Sequence, residues 1–310
     1  MKKIIVLVLV LLLGGCGVIR NPFEKFEPTY QVAATDYLGA GILFNKIRPE
    51  SYMKERELFS VGSESELALL IAKKLEAGVT KVNYRSDHLL SLQKTFMYLE
   101  SIVFTPFTLA MGYTEYTRFG NAVDKVYFAE VQRDGEADLK LKEDTDLFLS
   151  GLVLDGRTDA QQLRNIHDTL VKQTKYDTSV LQLKLEEYRG HPSFEAYGLF
   201  TNKTAVCSGY SKALMSLASA RGIPTLYVAS LSMEHAWNLV YDGENWLYID
   251  ATWNDPVPDK EGRVLLTYFL LDKTRFLKDG KHHFDLSSDA TLSEEEYIEF
   301  AKYVFPNTKD

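Results

Sequence analysis

Residues 207–251 limit the fold more tightly than any other stretch of this sequence. From Cys207 onward apolar residues recur at helical spacing, with Tyr210, Ala213, Leu214, Leu217 and Ala218 on one stripe, and Gly222 followed by Pro224 ends the run. Three runs rich in β-branched and aromatic residues come directly after it, at 225–231, 236–241 and 246–251. Asp242-Gly-Glu-Asn245 supplies a hairpin turn between the last two. The segment therefore predicts an α+β fold in which a buried helix packs against an antiparallel sheet. A turn centred near 243 makes His235, at the mouth of the second strand, and Asp250, near the end of the third, cross-strand neighbours.

Cys207 stands in the first turn of that helix, where unpaired backbone N–H groups and the helix dipole favour a thiolate. The same N–H groups can hold an oxyanion formed on a substrate carbonyl. Ser208 and Gly209 are small and leave the thiol approachable. A nucleophile at a helix start, a histidine to take its proton and a carboxylate to orient that histidine make up an acyl-transfer triad, here Cys207, His235 and Asp250. Other polar and aromatic residues nearby read as structural: Trp237 and Trp253 as core aromatics, Asn238 and Asp255 as scaffold, His167 as a packed helical histidine. Glu234 either tunes His235 or faces solvent. His282-His283 has no acidic or thiol partner at ligand spacing, so no metal site is expected there.

In order along the chain stand Ala196-Tyr-Gly198, Ala205-Val-Cys-Ser-Gly-Tyr210, His235-Ala-Trp-Asn238, Asp250-Ala-Thr-Trp-Asn-Asp-Pro256 and Thr267-Tyr-Phe-Leu-Leu-Asp272. Together they resemble the transglutaminase-like superfamily of papain-like cysteine enzymes, in particular its bacterial surface members, over roughly residues 158–275. The resemblance implies a papain-like core and a Cys-His-Asp triad on Cys207, His235 and Asp250. It also implies a weak oxyanion role for Tyr197, as a polar side chain upstream of the cysteine plays in similar enzymes. The activity implied is covalent chemistry on amide or peptide bonds through a thioester, with a peptidase or amidase slightly ahead of a crosslinking transglutaminase. The substrate would be a peptide or protein, cell-wall material included, and no cofactor is expected. The competing class is a non-catalytic surface module that binds such material on the same fold.

The opening residues bear on location. Lys2 and Lys3 precede ten apolar residues, Ile4 to Leu13, too few to span a bilayer but suited to a secretory leader. Leu13-Gly14-Gly15-Cys16 resembles the bacterial lipobox, which predicts a leader at 1–15 and a lipid-modified Cys16 holding the protein to the extracytoplasmic face of the cell membrane. Loss of Lys2 and Lys3 would move the formal charge from −8 to −10. An acidic protein repels nucleic acid, so none is expected as a partner. With Cys16 modified, Cys207 is the one remaining thiol of the two in the chain, and no internal disulfide can form.

The rest divides by pattern into a tether at 16–35, an accessory α/β unit at 36–135, a charge-dense connection at 136–157, the transglutaminase-like domain at 158–285 and a C-terminal helix at 286–310. Helices are signalled at 63–77 by Ser63 with Glu66, at 88–104 by Leu89, Leu92, Phe96 and Leu99, and at 159–175 by Thr158 with Gln161. Strands are signalled at 80–84 and 123–131.

Overall fold

The structure, a computed structural model, describes residues 9–10, 27–31, 57–118, 121–133, 135–188, 190–255, 257–260, 262–285 and 291–308. Cys16, most of the leader and most of the tether lie outside the described residues.

The N-terminal part is built on six strands: β1 (Leu9–Val10), β2 (Glu27–Gln31), β3 (Glu57–Ser60), β4 (Lys81–Arg85), β5 (Phe107–Arg118) and β6 (Asn121–Arg133), in the order β1-β5-β6-β4-β3-β2. Helix α1 (Glu64–Glu76) links the parallel pair β3 and β4. It starts where the sequence signals, with Ser63 Oγ accepting from the Glu66 N–H at 3.2 Å. The Glu66 carboxylate, however, accepts from the Gly62 N–H at 2.7 Å instead of closing the box on Ser63. Helix α2 (Leu92–Glu100) is shorter than its apolar spacing suggested: Ser91 caps it, and Leu89 is left 60% exposed. Strand β5, which the sequence reading did not pick out, pairs antiparallel with β6 from Phe107↔Arg133 to Arg118↔Asn121.

Residues 135–150, read as a connection, form helix α3 (Gly135–Ser150). Charge is compatible with helix here because Lys140 pairs with Asp144 and Lys142 with Asp146, each one turn on, while Leu141 and Thr145 face inward. Next come α4 (Asp159–Gln173), with a complete Thr158/Gln161 capping box, then β7 (Lys175–Tyr176), α5 (Leu185–Tyr188), α6 (Ala196–Asn202), β8 (Thr204–Ala205) and α7 (Cys207–Ala220). Strands β9 (Thr225–Ser230), β10 (His235–Tyr241) and β11 (Trp246–Ile249) form an antiparallel sheet with β10 in the middle. Short α8 (Lys273–Phe276) and α9 (Glu294–Val304) follow.

This three-stranded sheet is the wall between two cores. Tyr227, Ala236, Val240 and Ile249 pack with α4, α6 and α7. Leu226, Val228, Trp237, Leu239 and Tyr248 belong to the other core, shared with α1, α2, the N-terminal sheet and α9. Both faces are covered, which is why the strands read as nearly continuous apolar runs.

The hairpin register differs from the sequence expectation by two residues. β10 and β11 pair from Tyr241↔Trp246 to Asn238↔Ile249, so the turn is centred between Gly243 and Glu244. Continued, that register sets Asp250 opposite Trp237, and His235 is its diagonal neighbour, not its direct partner. The cause is local: Asp242 Oδ1 accepts from the N–H groups of Glu244 (2.9 Å) and Asn245 (2.8 Å), and Gly243 takes the positive φ of 104° that a tight turn needs. An offset of two keeps both side chains on one face, so the pair still meets.

Candidate active site

Helix α7 is set in place from outside its own length. The Val206 N–H donates to Ser193 O at 2.9 Å just ahead of Cys207, and β8 lies parallel to β7. Gly209 has a different purpose from the one its small size suggested. A Cβ there would lie 2.5 Å from Ser193 O and 2.9 Å from Ala205 Cβ, so glycine permits the close approach of the 193–205 segment. No side chain among the described residues caps α7 at Val206, so the N–H groups of the first turn are left without a side-chain cap. Cys207 is half-buried; its thiol donates to Glu234 O at 3.9 Å and lies close enough to His235 to act on its charge. Glu234 therefore meets the thiol through its carbonyl. Its side chain is exposed, and its backbone adopts a left-handed φ of 50°.

His235 Nε2 lies 2.7 Å from Asp250 Oδ2, so Nδ1 is the ring nitrogen left for the thiol. Asp250 is fully buried, and its Oδ1 accepts from the Trp253 N–H at 3.0 Å. Burial favours neutral His235, but the hydrogen bonds and charges of Asp250 and Cys207 outweigh it and push the imidazole up to about 10. Burial likewise works against the Asp250 carboxylate, and the hydrogen bonds and charges of two imidazoles reverse it, holding the group at about 2. The Trp253 ring stacks on His235 with centroids 5.0 Å apart and planes at 22°, a position that favours an imidazolium. Trp253 packs against the core, as a core aromatic should, and is also a wall of the site, whereas Trp237 is fully buried.

The second imidazole on Asp250 is His282, with Nε2 2.9 Å from the same Oδ2. His282 has no acidic partner at short spacing in the sequence because its partner, Asp250, lies 32 positions away. His235, Asp250 and His282 offer ligand-type atoms within 4.8 Å of one another. Both nitrogens already sit at hydrogen-bond distance from one oxygen, so the group is satisfied as two N–H donors on a carboxylate.

A cleft of about 380 Å³ opens beside His235, with Tyr176, Trp253, Tyr268 and Lys281 on its walls. Tyr176 was not singled out from sequence. Burial and the charges of Cys207, Asp177 and Asp250 push its phenol up to about 12, so it keeps its proton and remains a donor. Tyr197 is placed elsewhere: it lines a separate cleft with Pro106, Ala137 and Leu139, and its hydroxyl donates to Gly190 O at 3.4 Å. Its position on α6 turns it toward α3, which corrects the oxyanion expectation for this residue.

The residues read as scaffold behave as such. Asn238 donates to Ser211 O at 2.9 Å, tying β10 to α7. Asp255 accepts from the Tyr210 hydroxyl. His167 is fully buried between Asp168 and Asn254, and Asn254 Oδ1 accepts the Tyr268 N–H at 3.0 Å, which fixes the turn that follows Asp250.

Residues 149–251 match the family model of the transglutaminase-like superfamily. Among solved structures the chain is similar to a TGase, at 13% identity and a TM-score of 0.31, covering 56% of this chain and 51% of that one. It is also similar to a candidate cysteine protease from Cytophaga hutchinsonii, at 14% identity and a TM-score of 0.27, covering 47% of this chain and 65% of that one. The chain thus spans between half and two thirds of the length of these two structures. No curated protein matches it.

Proposed function

With residues 149–251 a transglutaminase-like domain of mixed α+β fold, we propose that the protein is a thiol enzyme acting on amide or peptide bonds through Cys207, His235 and Asp250. The observation that carries this reading is His235 held by the Asp250 carboxylate at 2.7 Å on Nε2, with the Cys207 thiol donating at 3.9 Å to the carbonyl of Glu234, the residue just before His235. His235 takes the thiol proton, and the sulfur attacks the substrate carbonyl to form a carbon–sulfur bond. The oxyanion is held by first-turn N–H groups of α7, with the protonated phenol of Tyr176 on the wall of the cleft beside His235. Collapse breaks the carbon–nitrogen bond, and His235 returns its proton to the departing amine. Water, deprotonated by His235, then cleaves the thioester and restores the thiol.

Hydrolysis is favoured over crosslinking by the character of the cleft. Lys281 adds a cation to its wall, and the Asp255 carboxylate is engaged by Tyr210, so little there recruits a lysine amine. Attachment to the extracytoplasmic face of the cell membrane through Cys16, with a surface or cell-wall peptide as substrate, completes the reading. No helix among the described residues is long and apolar enough to cross a membrane.

The test is alkylation by iodoacetamide. Cys207 labels rapidly in the wild type and at least tenfold more slowly in His235→Ala; equal rates in the two would sink the reading. Mass spectrometry of surface peptides after incubation then identifies the reaction by cleavage, deamidation or an isopeptide bond.

A further inference from the structure

We infer that His282 is a positioning residue of this site: a second imidazole N–H on Asp250 Oδ2 keeps the carboxylate in place and shares its charge, and so sets how strongly Asp250 holds His235. The functional consequence rests on the triad reading above; the hydrogen-bonded pair does not.

The geometry is that of a fully satisfied buried charge. Asp250 accepts from Trp253 N–H on Oδ1 at 3.0 Å and lies 2.7 and 2.9 Å from the two Nε2 atoms on Oδ2. A carboxylate with no exposed surface needs such donors to stay ionised. The tautomer of His282 follows from its surroundings. Its ring centroid lies 4.1 Å from those of both Trp253 and Phe276, and 4.7 Å from that of Tyr268, and its Nδ1 has no hydrogen-bond partner among the described residues. A proton on Nδ1 would be a buried donor with no acceptor, so the proton sits on Nε2 and points at Asp250.

His282 is delivered by a strap that also holds the other side of the site. Tyr268 donates to Asp279 at 2.5 Å ahead of it. Behind it, Asp285 accepts from Leu231 N–H at 2.7 Å, Ser232 N–H at 3.0 Å and Ser230 Oγ at 3.1 Å, clamping the turn that leads into His235. His282 and Asp285 both lie beyond residue 251, where the family match ends. Besides the three linked residues, the titratable groups facing this cluster among the described residues are Cys207, Tyr176, His167, Tyr268, Asp279, Asp255 and Lys281.

If two donors share one oxygen, removing the second concentrates the carboxylate charge on His235 and makes its proton harder to remove. Imidazole nitrogen NMR on the full chain reads this directly. In the wild type, His282 gives the spectrum of a ring protonated on Nε2 and bare on Nδ1. In His282→Phe, which fills the aromatic cage but carries no N–H, the His235 titration midpoint rises by about half a pH unit or more. His282→Gln, which restores a donor, returns it toward the wild-type value. A His282 ring protonated on Nδ1 instead, or a midpoint in His282→Phe that stays put or falls, overturns the inference. The tautomer readout needs no variant, so it decides the matter even if His282→Phe does not fold. Failure of the enzyme reading looks different: alkylation of Cys207 becomes indifferent to His235→Ala while the NMR coupling between the imidazoles persists.

Discussion

At the scale of single residues the site is a contest between burial and hydrogen bonding, and it has a measurable pH signature. Asp250 is held at about 2 against an ordinary 3.8, so it contributes stability above the unfolded value that is lost as the pH falls through 2. The shift corresponds to on the order of 2 kcal/mol. His235 has the opposite sign. Held up at about 10 against 6.5, it contributes fully below 6.5 and loses its contribution as the pH rises through 10. Asp250 is a partner in both effects. The difference in urea unfolding free energy between wild type and Asp250→Asn should therefore be greatest near pH 5–6 and shrink toward pH 2 and toward pH 10. A difference that does not vary with pH would mean that neither group is coupled as described. His235 and Asp250 were legible because they flank one hairpin, where pairing in sequence becomes pairing in space. His282 reaches Asp250 only through the folded strap, and Tyr176 reaches the cleft only through its strand beside β8. No local period marks either.

At the scale of elements, pattern found α4, which buries one clean stripe, and α7 and β9–β11, which are buried on more than one face, the strands reading as nearly continuous apolar runs. It missed elements whose pattern is masked. Helix α3 buries Leu141 and Thr145 fully and Phe148 and Leu149 in part, and spends charges on pairs one turn apart. Helix α7 shows where a correct element can carry a wrong reason for one of its residues. Alanine at 209 would gain about 1 kcal/mol of helix propensity over glycine. Against that, its Cβ would stand 2.5 Å from the Ser193 carbonyl oxygen, a backbone atom held by the Val206 N–H at 2.9 Å and unable to give way cheaply. Overpacking of this kind costs about 1–3 kcal/mol, so the clash wins. Gly209→Ala should lower the urea midpoint and slow Cys207 alkylation together, because the displaced segment pins the start of the thiol helix. A Gly209→Ala protein more stable than wild type would mean that the glycine serves the thiol's accessibility alone.

At the scale of the whole molecule, the sequence suggested an accessory unit beside a thiol domain, and the packing joins them. The sheet that carries His235 presents Leu226, Val228, Trp237 and Leu239 to a core shared with α1 and α2. The Tyr227 N–H donates to Ser101 O at 3.0 Å, immediately after α2. Behind the thiol, Lys212 on α7 is buried against Glu195 at 3.0 Å and Glu100 of α2 at 3.7 Å, so an ion pair also crosses from one part to the other. Length and composition could not reveal this, since either part alone reads as a normal amphipathic α/β pattern and only the doubly covered strands hint at a second layer. The energetics follow from area. Exposing four large side chains at roughly 1.5–3 kcal/mol each forfeits an amount comparable to the 5–15 kcal/mol by which a whole domain is stable. Loss of Glu100 also removes one of the two carboxylates around Lys212, which keeps Glu195 at 3.0 Å. A chain beginning at Gly135 should therefore fail to give a cooperative urea transition, bind a hydrophobic dye, and show Cys207 alkylation indifferent to His235→Ala. Cooperative unfolding of that fragment with histidine-dependent alkylation would establish instead that the N-terminal layer is dispensable to the site.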